Sequence, residues 1–251
     1  MATRALLYRR PYEPSRLLVK HGSQIYSVRL RRHRRARRYT LRIHPSDREA
    51  ILTMPPRGTI TDAKDFAQRH GGWIAARLGR LPKAAPFLPG TTVPLRGVAH
   101  RIVHRSGQRG TVWTEIRESG ERVLCVAGGA DYIERRVHDY LKREARKDLQ
   151  KAAASHAQAL GVRVKRLSIR DQSSRWGSCT SAGSLSFSWR LILAPPHVLD
   201  YLAAHEVAHL VEMNHSARFW RVVGRACDHV ERAKNWLDTH GNDLHRYGIE
   251  E

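Results

Sequence analysis

Cysteine and long apolar runs are both scarce in this chain, and each scarcity excludes a class of protein. Three cysteines occur among 251 residues, an odd and widely spaced set that is no disulfide framework and matches no zinc knuckle. No apolar run reaches the roughly 18 residues of a membrane helix. The apolar stretch near the N-terminus is too short for a signal peptide. A cytoplasmic protein with no membrane association is therefore expected.

Acidic residues are few relative to basic ones. Lys and Arg number 45 against 23 for Asp and Glu, which gives a formal net charge of +22. The electric field of such a net charge attracts polyanions. A solvated surface rich in arginine would give the same net charge without any polyanionic partner. Residues 29–38 alone contain seven arginines. Nucleic-acid binding by this basic cluster is one hypothesis, and its candidate contacts are Arg31, Arg32, Arg34, Arg35, Arg37 and Arg38.

Hydrophobic periodicity predicts an α+β fold with two domains. Alternating apolar positions and β-branched residues in the first half predict short strands, interrupted by one helix that Thr61 caps and that ends near Leu78. Residues 1–22 are interpreted as a loose lead-in and residues 82–97 as a loop. No internal repeat is evident. An N-terminal β-rich domain with one helix is therefore predicted for residues 1–127.

Helical spacing dominates the second half of the chain. A long amphipathic helix is predicted from Ile133 to near Gly161, and shorter strands and helices follow it. Pro195 and Pro196 end one predicted strand and open the next helix, because proline suits the first turn of a helix. A second, catalytic α+β domain is predicted for residues 128–251.

The helix after these prolines carries a metal-binding pattern, because residues 205–209 are His-Glu-Val-Ala-His. His205 and His209 are four residues apart, so their imidazoles lie one turn apart on one helical face, as two ligands of a tetrahedral zinc would. Glu206 adjoins them and is placed to take a proton from water on the metal. The pattern predicts a hydrolytic site with one Zn²⁺ per chain.

A catalytic zinc needs a third protein ligand and keeps one position open. His215 is the favoured third ligand, because Asn214 can end the helix and turn the chain back toward the metal. An acid on a later helix, Asp228 or Glu231, is the alternative. Either acid would equally serve as an acceptor for the N–H of a ligand imidazole.

Residues 173–179 place one arginine and one tryptophan among small polar residues. Arg175 and Trp176 are candidate substrate-binding residues, although a structural turn and an ion pair would also explain this composition. Tyr201, one turn before His205, is a candidate oxyanion donor or a packing residue. Cys179 is interpreted as a buried, inert thiol rather than an inhibitory metal ligand.

Taken together, these segments resemble the YgjP-like metallopeptidase family, which groups with the SprT- and WLM-type zincins. The resemblance is carried by residues 174–179 (Ser-Arg-Trp-Gly-Ser-Cys), 189–191 (Trp-Arg-Leu), 205–209, and 214–220 (Asn-His-Ser-Ala-Arg-Phe-Trp). It implies a compact zincin-like catalytic domain with zinc on His205, His209 and His215 and with Glu206 as the acid/base. It also implies a sheet edge near residues 173–188 that binds a substrate main chain.

Three functions therefore compete at this stage. The leading one is a zinc metallopeptidase acting on polypeptides. The second is a metal-dependent nucleotide phosphohydrolase, which the lack of a phosphate-cradling Gly-rich loop followed by Lys-Ser or Lys-Thr disfavours. The third is a nucleic-acid-associated protease recruited by the basic cluster. The sequence predicts no oligomeric state.

Overall fold

The structure, a computed structural model, describes residues 13–44, 47–172 and 175–248. It has the predicted α+β character, with three small sheets and six α-helices in the described residues. Contacts divide the chain into two units, one ending at Leu81 and one beginning at Pro82. This division differs from the boundary predicted at residue 128, because the strands between residues 92 and 127 share their core with the helices that follow.

The first unit contains a four-stranded sheet and two helices. Its strands are β1 (Arg16–His21), β2 (Gln24–Arg32), β3 (Thr40–His44) and β4 (Glu49–Met54), in the order β1-β2-β4-β3. Strands β2 and β4 are parallel, and the other pairs are antiparallel. Strand β1 lies within the stretch predicted to be a loose lead-in, so that prediction was wrong for residues 16–21, while residues 1–12 lie outside the described residues. Its buried Leu17 and Val19 show the alternation of a half-buried strand.

The single helix predicted near residues 62–78 is two helices, α1 (Ile60–Arg69) and α2 (Gly71–Gly79). Thr59, not Thr61, caps α1, because its hydroxyl accepts a hydrogen bond from the Asp62 amide at 3.0 Å. A Cβ on Gly71 would lie 3.3 Å from the Val19 and His21 side chains. The glycine therefore lets α2 pack closely against β1.

The second unit begins with another four-stranded sheet. Its strands are β5 (Thr92–Leu95), β6 (Val98–Arg105), β7 (Val112–Ile116) and β8 (Arg122–Ala127), in the order β5-β6-β8-β7. Strand β5 lies in a region predicted to be a loop. The strand order and the pattern of parallel and antiparallel pairs repeat those of the first sheet. The two four-stranded sheets therefore share a topology, although no sequence repeat is evident.

Helix α3 (Ile133–Ala159) joins this sheet to the rest of the unit. Val137, Leu141, Ala145 and Leu149 are fully buried at four-residue intervals, which form one continuous apolar face. That face belongs to the same hydrophobic cluster as the strands before it and the helices after it.

A three-stranded sheet follows α3. Its strands are β9 (Arg166–Arg170), β10 (Gly177–Cys179) and β11 (Ser184–Ser188), in the order β10-β11-β9. The strand predicted to end at Pro195 and Pro196 instead ends at Ser188 and is followed by a 3₁₀ turn, Trp189–Leu193, whose side chains are all buried. Strand β10 is thus an edge strand of this sheet.

Three helices complete the unit: α4 (Pro196–Ala208), α5 (Ala217–Ala226) and α6 (Val230–His240). A final 3₁₀ segment, Gly241–Arg246, follows α6. Buried Arg190 fixes this C-terminal segment, because its guanidinium pairs with Asp171 at 3.0 Å and donates to the carbonyls of Leu244 and Tyr247. Across the described ranges, no helix is both long and apolar enough to cross a membrane.

Candidate metal centre

Three histidines converge where α4 ends. His205 lies on α4, His209 caps its C-terminus, and His215 lies in the connection to α5. One potential ligand nitrogen from each ring lies within 4.8 Å of the other two, and the Nε2 atoms of His205 and His215 are 3.1 Å apart. The structure thus brings the favoured third residue to the helical pair.

Local turns bring His215 back to the helix. The Glu212 amide donates to the Ala208 carbonyl as the helix ends, and the Ser216 amide donates to the Asn214 carbonyl in the turn around His215. The Ser216 hydroxyl then caps α5 by accepting from the Phe219 amide at 3.3 Å. Because α5 starts immediately after His215, the imidazole is held between two helices.

Phe219 on α5 forms one side of the site. Its ring centroid lies 4.9 Å from that of His205, 4.5 Å from that of His209 and 4.8 Å from that of His215. Trp220 stacks on His215 at 6.1 Å. Sequence reasoning assigned no role to either aromatic residue, although both belong to the motif of residues 214–220. Their rings restrict the orientations that the three imidazoles can adopt.

The imidazoles are in a state suited to metal binding. Burial, aided by the charges of His209 and His215, lowers the pKa of His205 to about 4. Burial also lowers the pKa of His209, whose Nδ1–H donates to the Glu212 carbonyl at 3.2 Å and leaves Nε2 as an acceptor. Imidazole nitrogens that converge in this way fit a divalent transition metal, which this donor set would hold.

Glu206 is buried beside the histidines at 5% exposure. Burial raises the pKa of its carboxyl group to about 7, although the charge of Arg175 partly opposes the rise. A Cβ on Gly177 would lie 2.5 Å from Glu206 Oε1, so β10 approaches the carboxylate as closely as a bare backbone allows. Gly177 belongs to the segment for which a structural turn was one predicted explanation. It is a strand residue that makes room for Glu206.

The three candidate substrate-binding residues, Arg175, Trp176 and Tyr201, lie in different environments. Arg175 is exposed, whereas the ring of Trp176 stacks on His245 at 5.0 Å. Tyr201 is buried, its ring lies 5.9 Å from that of His205, and burial raises the pKa of its hydroxyl to about 12. Ser173 and Ser174, at the start of the same motif, lie outside the described residues.

Neither alternative acid joins the three histidines in the cluster of potential ligands that the described residues form. The side chain of Asp228 is 98% exposed and contacts His229, and Glu231 pairs with Lys234 at 3.0 Å. Cys179 lies on β10, and burial together with the charge of Glu206 raises the pKa of its thiol to about 11. Such a thiol is protonated at neutral pH, as an inert cysteine would be.

The basic cluster lies in the first unit, at the end of β2 and in the connection to β3. Arg32 is committed to the fold, because its guanidinium pairs with Glu13 and donates to the carbonyls of Pro55, Pro56 and Gly58. The remaining candidates are exposed and form no ion pair within the described part of the chain: Arg31, Arg34, Arg35, Arg37 and Arg38.

A helix-borne His-Glu-x-x-His segment with a third histidine after the helix is a donor arrangement of metallopeptidases. The chain belongs to the YgjP-like family, since the model described as "YgjP-like, metallopeptidase domain" matches residues 37–240. No curated protein matches the chain. Among solved structures, the metallopeptidase zymogen abylysin of Pyrococcus abyssi matches at 23% identity and a TM-score of 0.34, over 40% of this chain and 99% of that one.

Proposed function

We propose that this metallopeptidase hydrolyses peptide bonds with one zinc ion held by His205, His209 and His215 and with Glu206 as the proton carrier. The observation that supports this most directly is the convergence of three imidazoles beside one buried carboxylate. The compact arrangement of a small sheet beside the helix that bears the motif supports a zincin-like domain.

The chain's own residues divide the chemistry between them. A divalent zinc supplies Lewis acidity toward a peptide carbonyl and lowers the pKa of water. Glu206 accepts a proton from the attacking water and returns it to the leaving amine. Its pKa of about 7 suits both steps, because a group that titrates near the working pH can take up and release a proton. The apolar side formed by Phe219 limits the access of bulk water.

The substrate main chain is proposed to bind along β10. Among the described residues this strand pairs with β11 on one side only, so an extended peptide can add to its other edge. Gly177 brings this strand against Glu206. Recognition through backbone hydrogen bonds would make cleavage depend little on substrate side chains. Arg175 is the residue proposed to bind an anionic group of the substrate, because it is exposed and its charge reaches Glu206.

Glu206→Gln tests the proposal directly. Because Glu206 is not one of the clustered ligands, the variant should retain zinc as measured by mass spectrometry. Peptide hydrolysis should fall by about 10²–10⁴-fold, the usual contribution of a general acid–base group. Glu118→Gln, an exposed glutamate in the β7–β8 turn, is the matched control and should keep full activity.

Nucleoside triphosphates, assayed beside the peptides, separate the two hydrolase hypotheses. Peptide cleavage that depends on Glu206 supports the peptidase. Glu206-dependent release of phosphate without peptide cleavage would replace it with the phosphohydrolase. Unchanged peptide cleavage by Glu206→Gln would remove Glu206 from the mechanism.

A second, compatible function is recruitment to nucleic acid through the basic cluster. The observation that favours it is the five exposed arginines that no acidic side chain neutralises in the described residues. Replacing Arg34, Arg35, Arg37 and Arg38 with glutamine should weaken binding to a DNA duplex. Binding by the unmodified protein should fall steeply with added salt, and a flat salt response would contradict this role.

A further inference from the structure

A second group of potential metal ligands lies beside the N-terminal half of α4. Asp200 is on α4, Cys227 follows α5, and His229 immediately precedes α6. A carboxylate oxygen, the sulfur and an imidazole nitrogen from these residues lie within 4.8 Å of one another. Cys227 is buried and the other two are half-buried. Cys227 and His229 are two residues apart in the connection from α5 to α6, and tertiary packing brings Asp200 of α4 to them.

The imidazole of His229 is oriented as a metal ligand would be. Its Nδ1 lies 2.8 Å from a carboxylate oxygen of Asp228, which can only accept, so Nδ1 carries the proton. In the neutral ring, Nε2 then presents a lone pair. A carboxylate that receives the second N–H of an imidazole is the usual outer partner of a metal-binding histidine.

This Nε2 atom faces Asp200. It is buried and lies 3.2 Å from Asp200 Oδ2, yet it forms no hydrogen bond with any group in the described ranges. In the neutral form of the ring, two acceptors therefore face each other at contact distance, with the Cys227 sulfur within 4.8 Å. A cation between them would satisfy both, whereas a neutral ring without one leaves a buried nitrogen unpartnered.

Two more histidines complete the surroundings. Nε2 of buried His156, on α3, lies 2.9 Å from Asp200 Oδ1 and orients that carboxylate. The ring centroid of His197 lies 6.0 Å from that of His229. The Nε2 atom of His197 is also buried without a hydrogen-bond partner in the described parts of the chain. A second unpartnered nitrogen therefore belongs to the ring that packs edge-on against His229.

We propose that Asp200, Cys227 and His229 bind a second divalent transition metal, with His197 as the fourth ligand. One sulfur, one carboxylate oxygen and imidazole nitrogens form a donor set typical of zinc. Four protein ligands leave no position for substrate, so the role of this site is structural. The ion would tie the α5–α6 connection to α4, the helix that carries His205 and Glu206, and would keep α5 in place against the three histidines.

Cobalt substitution separates this site from the three-histidine site. Co²⁺ bound by a thiolate has an intense near-ultraviolet charge-transfer band, which an all-imidazole site lacks. The full-length protein loaded with Co²⁺ should bind two ions per chain, one at each cluster, and should show the band. Cys227→Ser should abolish the band and reduce the metal content to about one ion. The other two free cysteines provide matched controls, since Cys125→Ser and Cys179→Ser should both keep the band.

Several outcomes would overturn the second site. A wild-type protein with one metal ion per chain and no charge-transfer band would do so. Loss of the band in Cys179→Ser would show that the thiolate ligand is Cys179 on β10 and not Cys227. If Cys227→Ser does not fold, as judged by circular dichroism, the wild-type spectrum and His197→Gln decide the question. His197→Gln should weaken metal retention at this site in a chelator competition. Equal metal retention by the variant and the wild type would exclude His197 as the fourth ligand.

The outcome is independent of the proposed peptidase activity. The double variant His205→Gln/His209→Gln should lose hydrolysis and keep the cobalt–thiolate band. A wild-type protein that cleaves peptides but shows no such band would refute the second site alone.

Discussion

The two ligand clusters on α4 differ in how completely their donors are enclosed. At the C-terminal end of the helix, three imidazoles converge, one of them exposed, and a carboxylate that is not a ligand lies beside them. Near the N-terminal end, sulfur, carboxylate and imidazole donors have further carboxylate and histidine partners around them. Catalytic zinc sites keep an open position and structural sites are closed. One helix therefore presents both kinds of site, which differ in the proposed fourth ligand, His197, and in the groups that surround the donors.

The largest effect is expected when a ligand is removed from one cluster or the other. We call His205, His209 and His215 the open cluster, and Asp200, Cys227 and His229 the closed cluster. His205→Gln removes a ligand from the open cluster, so peptide hydrolysis should fall by more than about 100-fold, which exceeds the usual effect of losing a residue that only hydrogen-bonds to a metal ligand. His229→Gln removes a ligand from the closed cluster and should leave kcat within about threefold while it lowers the melting temperature. Initial rates and thermal unfolding of both variants provide the measurement. The reverse pattern would exchange the roles assigned to the clusters.

Metal removal should destabilise the protein mainly through the closed cluster. An ion present at 100 times its dissociation constant stabilises the folded state by about 2.7 kcal/mol, and the closed cluster ties three elements together. Treatment with chelator should therefore lower the denaturation midpoint of the wild type and of His205→Gln clearly, and that of Cys227→Ser only slightly. A midpoint of Cys227→Ser that falls as far as that of the wild type would place the stabilising ion elsewhere.

A smaller change beside the open cluster, at Gly177, tests the close approach of β10 to Glu206. In Gly177→Ala the new methyl group would lie 2.5 Å from Glu206 Oε1, so the carboxylate must move, and kcat should fall by about tenfold or more. Gly224→Ala on α5 is the control, because a Cβ there has no atom within 4 Å. Its kcat should be unchanged. Equal activity of the two variants would show that the position of Glu206 tolerates displacement.

The Arg190–Asp171 ion pair involves no metal ligand, and breaking it is expected to have the smallest effect on stability. Burial opposes ionisation of Asp171, but the charge and hydrogen bonds of Arg190 outweigh it, so the pKa of Asp171 lies below its usual value. The carboxylate therefore stabilises the fold above the ordinary pKa near 3.8 and loses this contribution as the pH falls through its lower folded value.

Asp171→Asn should therefore destabilise the protein at pH 7 and have less effect at pH 3. Because the Asp171 side chain is 45% exposed, solvent screening reduces the expected cost at pH 7 to about 1 kcal/mol. Urea unfolding at the two pH values provides the measurement. An equal cost at both would show that the ion pair is not its source.

Much of the open cluster was predictable because its spacing is local. Two histidines four residues apart on an amphipathic helix share a face whatever the rest of the chain does, and the short turn to His215 leaves little freedom. Alternation likewise predicted β2, β3, β4, β6, β7 and β8. Strands β1 and β5 were missed, since the first lies in a stretch interpreted as a loose lead-in and the second in a loop rich in proline and glycine.

The closed cluster and the close approach of Gly177 could not be predicted in this way. His156 and Asp200 are 44 residues apart, and no periodicity relates either of them to Cys227. The shared topology of the two four-stranded sheets also escaped sequence reasoning, because pairing between strands depends on which faces are buried rather than on matching residues.

By itself, the amino-acid sequence determined the class of chemistry, the helix that carries it and the carboxylate proposed to carry the proton, because these depend on residues within a few turns of one another. The tertiary structure alone decided which strand faces Glu206, which aromatic ring packs on the imidazoles, and which distant side chains gather beside α4. Those arrangements follow from burying apolar faces against each other, a condition that involves the whole chain at once.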